Sequence, residues 1–315
     1  MLYGGKPYTA VDSANFCVYK GEIVGIVGES GCGKSLTALA IDNLLPFGVE
    51  RSGGQVVFDG KELTSLSAKE KRKIYGKDIA MIFQEPMTSL NPLMKIGRQV
   101  DETLRIHTAI DKQERDRMVR QVLIDVGLQN VDRLVDAYPH ELSGGMRQRV
   151  MIASAIISKP SLLIADEPTT ALDVFTQAQV LDVLKKIHAD TGMSILFISH
   201  DLDVIKQICS RVIVMYAGHI VESGNIQDVL SYPCHEYTKG LLRSIPSRDK
   251  KGLLLECIRG KVPSVTQKKD GCPFAPRCAS AQNVCFTQRP GNTPGTGENH
   301  VFACHFGATG EGAHE

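Results

Sequence analysis

The stretch Gly28-Glu29-Ser30-Gly31-Cys32-Gly33-Lys34-Ser35 decides the fold of this chain. It fits G-x-x-x-x-G-K-S, and it stands between an apolar, β-rich run, Ile23-Val24-Gly25-Ile26-Val27, and an apolar stretch from Leu36 to Leu45 with helical character. A glycine-rich turn from strand to helix lets backbone N–H groups curl around the β- and γ-phosphates at a helix N-terminus. Lys34 adds a point charge there, and the Ser35 hydroxyl can ligate Mg²⁺. Gly28, Glu29, Ser30, Gly31, Cys32, Gly33, Lys34 and Ser35 are therefore the first candidate nucleotide contacts. Cys32 sits among these N–H groups near Lys34, a setting expected to lower its thiol pKa and favour alkylation.

Outward from this block, short β-rich runs alternate with helical patterns, which predicts a mainly parallel sheet with helices on its faces. The expected strands are 23–27, 55–58, 79–83, 162–165, 195–198 and 212–216. Between Asn91 and Pro139 the pattern turns helical and charged. Asp111 to Arg120 reads as a solvated face, followed by the apolar set Val122, Leu123, Val126 and Leu128. Lys69, Lys71, Arg72 and Lys73 read as an exposed helix.

At 315 residues the chain has room for about two domains. Its 36 Lys and Arg balance 35 Asp and Glu, so no basic excess draws it to nucleic acid or anionic lipid. No apolar run approaches the ~18 residues of a membrane span, and the first residues lack the charged and apolar regions of a signal peptide. The expectation is a soluble, cytosolic chain whose membrane association comes through a partner.

A second block, Leu142-Ser143-Gly144-Gly145-Met146, precedes a long apolar helix from Met146 to Ile157 and supplies another phosphate-binding helix start. It is followed by an apolar run ending in Asp166-Glu167. A P-loop kinase has no use for two such helix starts. With these blocks, and with Phe83-Gln84-Glu85-Pro86, Ala171-Leu172-Asp173 and Ile198-Ser199-His200-Asp201 in order, the chain resembles the nucleotide-binding subunits of ATP-binding-cassette (ABC) transporters. Met87-Thr88-Ser89-Leu90-Asn91-Pro92, Tyr138-Pro139-His140-Glu141-Leu142 and the cysteines of the tail make it similar to the dipeptide/oligopeptide import ATPases. DNA-repair and ribosomal cassettes usually carry two cassettes or inserted nucleic-acid arms, which this chain lacks.

The resemblance implies an α/β P-loop NTPase of the ABC ATPase type with a β-subdomain, a helical subdomain and a Cys-rich C-terminal tail. It divides the chain into an ATPase domain, 1–240, with a helical insert at about 91–150, and a regulatory or assembly tail, 241–315. The implied activity is ATP hydrolysis energising di- or oligopeptide import, with nickel, glutathione or another small solute as the alternative cargo. Cleavage of a phosphoanhydride by water needs charge neutralisation and a positioned nucleophile. Asp166 is expected to hold Mg²⁺ with Ser35 and Gln84, Glu167 to orient or deprotonate the attacking water, and His200 to meet the γ-phosphate. Ser143, Gly144 and Gly145 face the ATP of a partner cassette in a head-to-tail dimer.

Tyr3 and Tyr8 are the candidates to stack on adenine, with Tyr3 preferred. The implied partners are a second ABC ATPase subunit in a heterodimer, two membrane permeases docking on Met87 to Val100, and, indirectly, an extracytoplasmic peptide-binding protein. Nucleic acid is not among them. The implied place is the cytoplasmic face of the cell membrane, as a peripheral subunit.

Of the nine cysteines, Cys272, Cys278, Cys285 and Cys304 crowd into the Gly/Pro-rich tail with x5, x6 and x18 spacings. Four thiolates suit either tetrahedral zinc or an iron–sulfur cluster, and spacing alone does not choose. The resembling import ATPases carry a 4Fe–4S cluster at this position. The tail reads as a separate unit, structurally pinned by its metal and remote from Lys34 and Glu167. The preceding Ile258-Arg259-Gly260-Lys261-Val262-Pro263 reads as a turn and linker.

Overall fold

The computed structural model describes residues 1–3, 6–170, 172–245, 257–267, 270–297 and 299–307. In chain order the strands are β1 (Leu2–Tyr3), β2 (Lys6–Pro7), β3 (Ile23–Val27), β4 (Val57–Phe58), β5 (Lys61–Glu62), β6 (Ile79–Ile82), β7 (Leu162–Asp166), β8 (Ser194–Ser199), β9 (Arg211–Tyr216), β10 (His219–Asn225), β11 (Thr293–Pro294) and β12 (Val301–Phe302). The helices are α1 (Lys34–Ile41), α2 (Ala68–Ile74), α3 (Pro86–Ser89), α4 (Ile96–His107), α5 (Lys112–Asp125), α6 (Val131–Leu134), α7 (Gly144–Ile156), α8 (Val174–Thr191), α9 (Leu202–Ile208), α10 (Ile226–Ser231), α11 (Glu236–Arg243) and α12 (Asn283–Thr287). None of the described helices is long and apolar enough to cross a membrane.

The chain divides into two compact units. The first comprises residues 1–17, 23–54 and 198–315, and the second 18–22 and 55–197. In the first, the strand order is β11-β12-β10-β9-β3. Every residue of β3 is buried, as a parallel strand covered on both faces requires, and β3 runs parallel to β9 with Val27 opposite Val214. From β9 outward the sheet turns antiparallel. β10 returns along β9 through a bulge between Ile220 and Glu222, and the tail strand β12 then pairs with β10, Glu222 opposite Phe302. The tail thus shares the first unit instead of standing alone, because its own apolar residues find their cover on β10: Phe302 is only 1% exposed.

In the second unit β6 and β7 run parallel, Ile79 opposite Leu162, with β8 next in the order. The expected strand 55–58 shrinks to a two-residue arm. Asp59 at φ 46° and Gly60 at φ 74° form a tight turn that folds Phe58 back onto Lys61, and Val57 stays 59% exposed, so no core extends the hairpin. The helical insert follows the expected pattern. Asp111 caps α5 by accepting from the Glu114 N–H at 3.0 Å, the charged residues face solvent, and Val122, Leu123, Val126 and Leu128 are buried. Within α2 no residue is buried, as its lysines and arginine suggest.

Asp42, at the C-terminal end of α1, is buried, and its Oδ1 has no hydrogen-bond partner among the described residues. Burial pushes its carboxyl up to about 7. A carboxyl whose folded pKa lies above its unfolded value costs nothing below the unfolded pKa and progressively costs stability as pH rises through the folded one. Asp42→Asn is therefore expected to stabilise the protein by roughly 4 kcal/mol at pH 8 and by only about 1–2 kcal/mol at pH 5. Thermal melts of both proteins at the two pH values check this, and an equal shift at both would refute it.

Candidate functional site

The glycine-rich loop Gly28 to Ser35 is built on the end of β3. Gly33 closes it as the N-cap of α1 at φ 108°, a left-handed conformation that glycine adopts without strain, and a Cβ there would come within 3.0 Å of Val11 Cγ2. The loop holds itself by backbone bonds, with Cys32 N–H donating to Glu29 O at 3.2 Å and Gly218 N–H to Cys32 O at 2.7 Å. Lys34 is buried, and its ammonium donates to the carbonyls of Gly28 at 2.8 Å and Glu29 at 3.2 Å. These bonds place the charge at the cradle.

Cys32 departs from the sequence expectation. It is 1% exposed, and burial pushes its thiol up, while the nearby Lys34 charge pulls the other way without prevailing. A thiol in that position is inert, because the thiolate is the nucleophile.

In the second unit, Asp166 ends β7 and is buried, and Glu167 follows it in the left-handed region at φ 47°. A non-glycine residue in that region is held by its surroundings and recurs at functional sites. Its carboxylate Oε2 accepts from Thr170 Oγ1 at 2.8 Å and from Gln84 Nε2 at 3.3 Å, so the structure brings Gln84 and Glu167 together. Thr170 is a contact the motifs did not point to.

Ser143 is exposed at the N-cap of α7 and accepts from Met146 N–H at 3.3 Å; a Cβ on Gly144 would meet open space. The α7 N-terminus is therefore presented to solvent. Gln99 braces the following surface by accepting from Asn91 N–H at 2.9 Å and donating to Met94 O at 2.7 Å, which leaves Leu93 87% exposed. His200 is exposed just after β8 and is not the buried histidine its apolar strand would suggest. Tyr8 is half-buried. Tyr3 lies in β1; its side chain, that of Met87, and Ala171 fall outside the described residues.

Sequence reasoning missed two residues that meet the phosphate loop within the first unit. Glu29 N–H donates to the Tyr237 hydroxyl at 2.8 Å, and the Glu29 carboxylate is paired with Arg277 of the tail at 2.6 Å. The expected remoteness of the tail from the P-loop is thereby corrected. No local pattern marks either residue, since both act through contacts more than two hundred positions away.

Cys272, Cys278, Cys285 and Cys304 line one cavity together with His235 and Phe274. None of the nine cysteines is in a disulfide. Burial pushes Cys272 up to about 11 and raises Cys278 and Cys304, so the thiolates need a cation to form. His235 Nδ1 accepts from Tyr237 N–H at 3.0 Å, which leaves the ring proton on Nε2. Burial holds its pKa down at about 4, and Nε2 has no hydrogen-bond partner among the described residues. A buried N–H beside four thiols suits a sulfur acceptor.

Among the described residues no three of the four sulfurs lie within 4.8 Å of one another, whereas a tetrahedral zinc at ~2.3 Å sets its sulfurs about 3.8 Å apart.

A second cluster, Glu222, Cys234 and His300, is compact enough for a metal. Its groups are already spoken for: Glu222 Oε1 accepts from Cys234 N–H at 2.7 Å and faces His300 Nε2 at 2.8 Å, and Oε2 accepts from His235 N–H at 3.0 Å. His300 Nδ1 faces the Thr296 carbonyl at 3.0 Å, so both ring nitrogens meet acceptors. Burial opposes the imidazolium, but the Glu222 hydrogen bond, the Thr296 carbonyl and the Glu222 and Asp228 charges together outweigh it and raise the His300 pKa. This buried contact fastens the tail to β10.

The family model described as "ABC transporter" matches residues 11–170, and "Oligopeptide/dipeptide transporter, C-terminal region" matches 221–285. The chain is 46% identical to the dipeptide transport ATP-binding protein DppD of Bacillus subtilis (strain 168), over 96% of this chain and 90% of that protein. It is 47% identical to the oligopeptide transport ATP-binding protein AppD of the same organism, over 90% of this chain and 87% of that one. Among solved structures, a dimeric post-hydrolysis state of the ATP-binding cassette MJ0796, bound to ADP and Pi, superimposes with a TM-score of 0.65 at 29% identity, covering 72% of this chain and 94% of that one.

Proposed function

The chain belongs to the ATP-binding subunits of ABC transporters, in the dipeptide/oligopeptide importer family, and on that premise we propose which of its residues do the work and what they work with. It is an α/β cassette ATPase that hydrolyses ATP for peptide import. Lys34 and the N–H groups of Gly28 to Ser35 hold the β- and γ-phosphates. Ser35, Asp166 and Gln84 would hold Mg²⁺, which when bound neutralises developing phosphate charge. Glu167 takes a proton from water as the water oxygen bonds to the γ-phosphorus; the bond to the β-bridging oxygen breaks, and ADP leaves with that electron pair. His200 donates to the γ-phosphate, and Tyr3 stacks on adenine.

One observation carries the reading: Glu167 is held at φ 47° by its position after β7, with Gln84 and Thr170 donating to its carboxylate. Ser143, Gly144 and Gly145 close the ATP of a second cassette, as the exposed start of α7 supports. MJ0796 was solved as a dimer; here the partner is a different ATPase chain. Two membrane permeases dock on the surface around the exposed Leu93, a peptide-binding protein delivers the cargo, and the subunit sits peripherally on the cytoplasmic face of the membrane. Residues 1–240 form the ATPase domain, comprising a β-subdomain and a helical subdomain at about 91–150. Residues 241–315 form the Cys-rich tail.

The test is ATP hydrolysis by the chain assembled with its permease subunits. Di- or oligopeptides delivered by the binding protein are expected to stimulate turnover several-fold. Stimulation by nickel or glutathione in place of peptides would overturn the cargo assignment.

In the tail, Cys272, Cys278, Cys285 and Cys304 would hold a 4Fe–4S cluster, which supplies a rigid four-point crosslink for a segment with little core of its own. The His235 Nε2–H supports this by offering a donor to a cluster sulfur. Protein purified without oxygen is expected to be brown and to carry about four irons per chain. Stoichiometric zinc without iron would sink the cluster.

A further inference from the structure

Glu29 is an odd residue for a phosphate cradle. Its backbone serves the loop, since its carbonyl accepts from Cys32 N–H and Lys34 Nζ, yet its carboxylate carries the sign of charge that a triphosphate repels. The structure answers that charge from the tail. Arg277 Nη1 donates to Glu29 Oε2 at 2.6 Å and Nη2 to Oε1 at 3.0 Å, a fork-to-fork pair whose arginine side chain is 6% exposed.

The rest of the guanidinium is committed as well. Nε donates to Arg259 O at 2.8 Å, Nη2 also reaches Ile258 O at 3.2 Å and Gly260 O at 3.3 Å, and Nη1 reaches the Tyr216 hydroxyl at 3.3 Å. The segment Ile258-Arg259-Gly260, which reads in sequence as a linker, is thus a carbonyl cradle for this arginine. The guanidinium also stands 5.7 Å from the centre of the Tyr216 ring and 6.0 Å from that of Phe274.

The turn that carries Arg277 is the cysteine turn itself. Ala275 N–H donates to Cys272 O at 3.0 Å, Arg277 N–H to Phe274 O at 2.9 Å and Cys278 N–H to Ala275 O at 3.2 Å, so Cys272 to Cys278 is one hydrogen-bonded piece. Phe274 packs edge-on against Tyr216 with ring centres 5.2 Å apart and lies 5.4 Å from Tyr237, the residue whose hydroxyl accepts from Glu29 N–H. Both the carboxylate and the amide of Glu29 are therefore gripped by one aromatic and guanidinium assembly.

We propose that Arg277 is a positioning residue for ATP: it neutralises Glu29 and aims its carboxylate away from the phosphates, and the four-cysteine tail is the strut that delivers it to the P-loop. This rests on the P-loop as the ATP site and not on the identity of the group the cysteines bind. Arg277 touches no reacting atom in this role, so its loss acts on nucleotide affinity and leaves the chemical step in place.

The experiment uses the full chain assembled with its permeases, and compares wild type, Arg277→Gln and Arg277→Gln with Glu29→Gln, reading KM and kcat for ATP, the binding of a fluorescent ATP analogue, the melting temperature and the iron content. Arg277→Gln is expected to raise KM on the order of tenfold with kcat within about twofold, because a bare carboxylate now faces the phosphates. Adding Glu29→Gln is expected to return most of that affinity, an outcome that mere loosening of the tail cannot produce. An unchanged KM in Arg277→Gln overturns the proposal, and so does a defect that Glu29→Gln leaves in full. If Arg277→Gln does not fold, Arg277→Met replaces it with the same pair of outcomes, since methionine keeps an apolar stem for packing and removes the charge. Absence of iron from every sample, wild type included, would sink the cluster while the Glu29→Gln rescue still decides the case of Arg277.

Discussion

Replacing Glu167 by glutamine leaves ATP binding intact and cuts hydrolysis by roughly 10²–10⁴-fold, the range expected when a positioned general base is removed. Glutamine keeps the shape of the side chain and an oxygen that can still accept from Thr170 Oγ1, so the φ 47° backbone and the Gln84 contact lose little support. Only the ability to take the proton disappears. ATP should then persist between two closed cassettes, and a nucleotide-trapped dimer should accumulate on size exclusion in Mg-ATP. Wild-type turnover by Glu167→Gln in the assembled transporter would remove Glu167 from the role of base.

The second large effect is steric. A Cβ built on Gly28 falls 2.2 Å from the Met215 carbonyl oxygen and 2.8 Å from Cys32 Sγ. A backbone oxygen in the paired strand β9 cannot step aside as a flexible side chain can, so the loop must move instead. Gly28→Ala is therefore expected to displace the carbonyl that receives Lys34 Nζ at 2.8 Å and to weaken ATP binding by about a hundredfold or more. Circular dichroism should show the secondary structure retained while equilibrium binding of a fluorescent ATP analogue fails. Affinity within threefold of wild type would show that the loop tolerates the methyl group.

These two variants probe different kinds of information. Glu167 can be nominated from its place after an apolar run and beside Asp166, with no knowledge of what surrounds it. The prohibition at Gly28 comes from Met215, 187 positions away in the chain. The motif says that glycine belongs there, and the carbonyl of β9 says why.

By itself the sequence determined the strands that build the cradle and the helices that follow them, because local physics suffices for both. A short β-branched run such as Ile23 to Val27 just before a glycine-rich turn reads as a covered strand, Asp111 caps α5 within three residues of its own position, and most of the charged residues of α5 lie toward solvent. It also nominated Gly28 to Ser35 as one loop, since the glycines and Lys34 act through backbone they themselves shape. What only the tertiary structure decided depends on distant partners. Cys32 is inert because burial outweighs the nearby lysine, a balance that cannot be struck before the core around it exists. The tail joins the sheet because Val301-Phe302 finds β10, a pairing that two residues do not announce. Arg277 looks in sequence like one more residue of a proline-rich loop. It becomes a support of the P-loop only because the fold carries a carboxylate 248 positions away into the reach of its guanidinium, where a buried charge must find its partner.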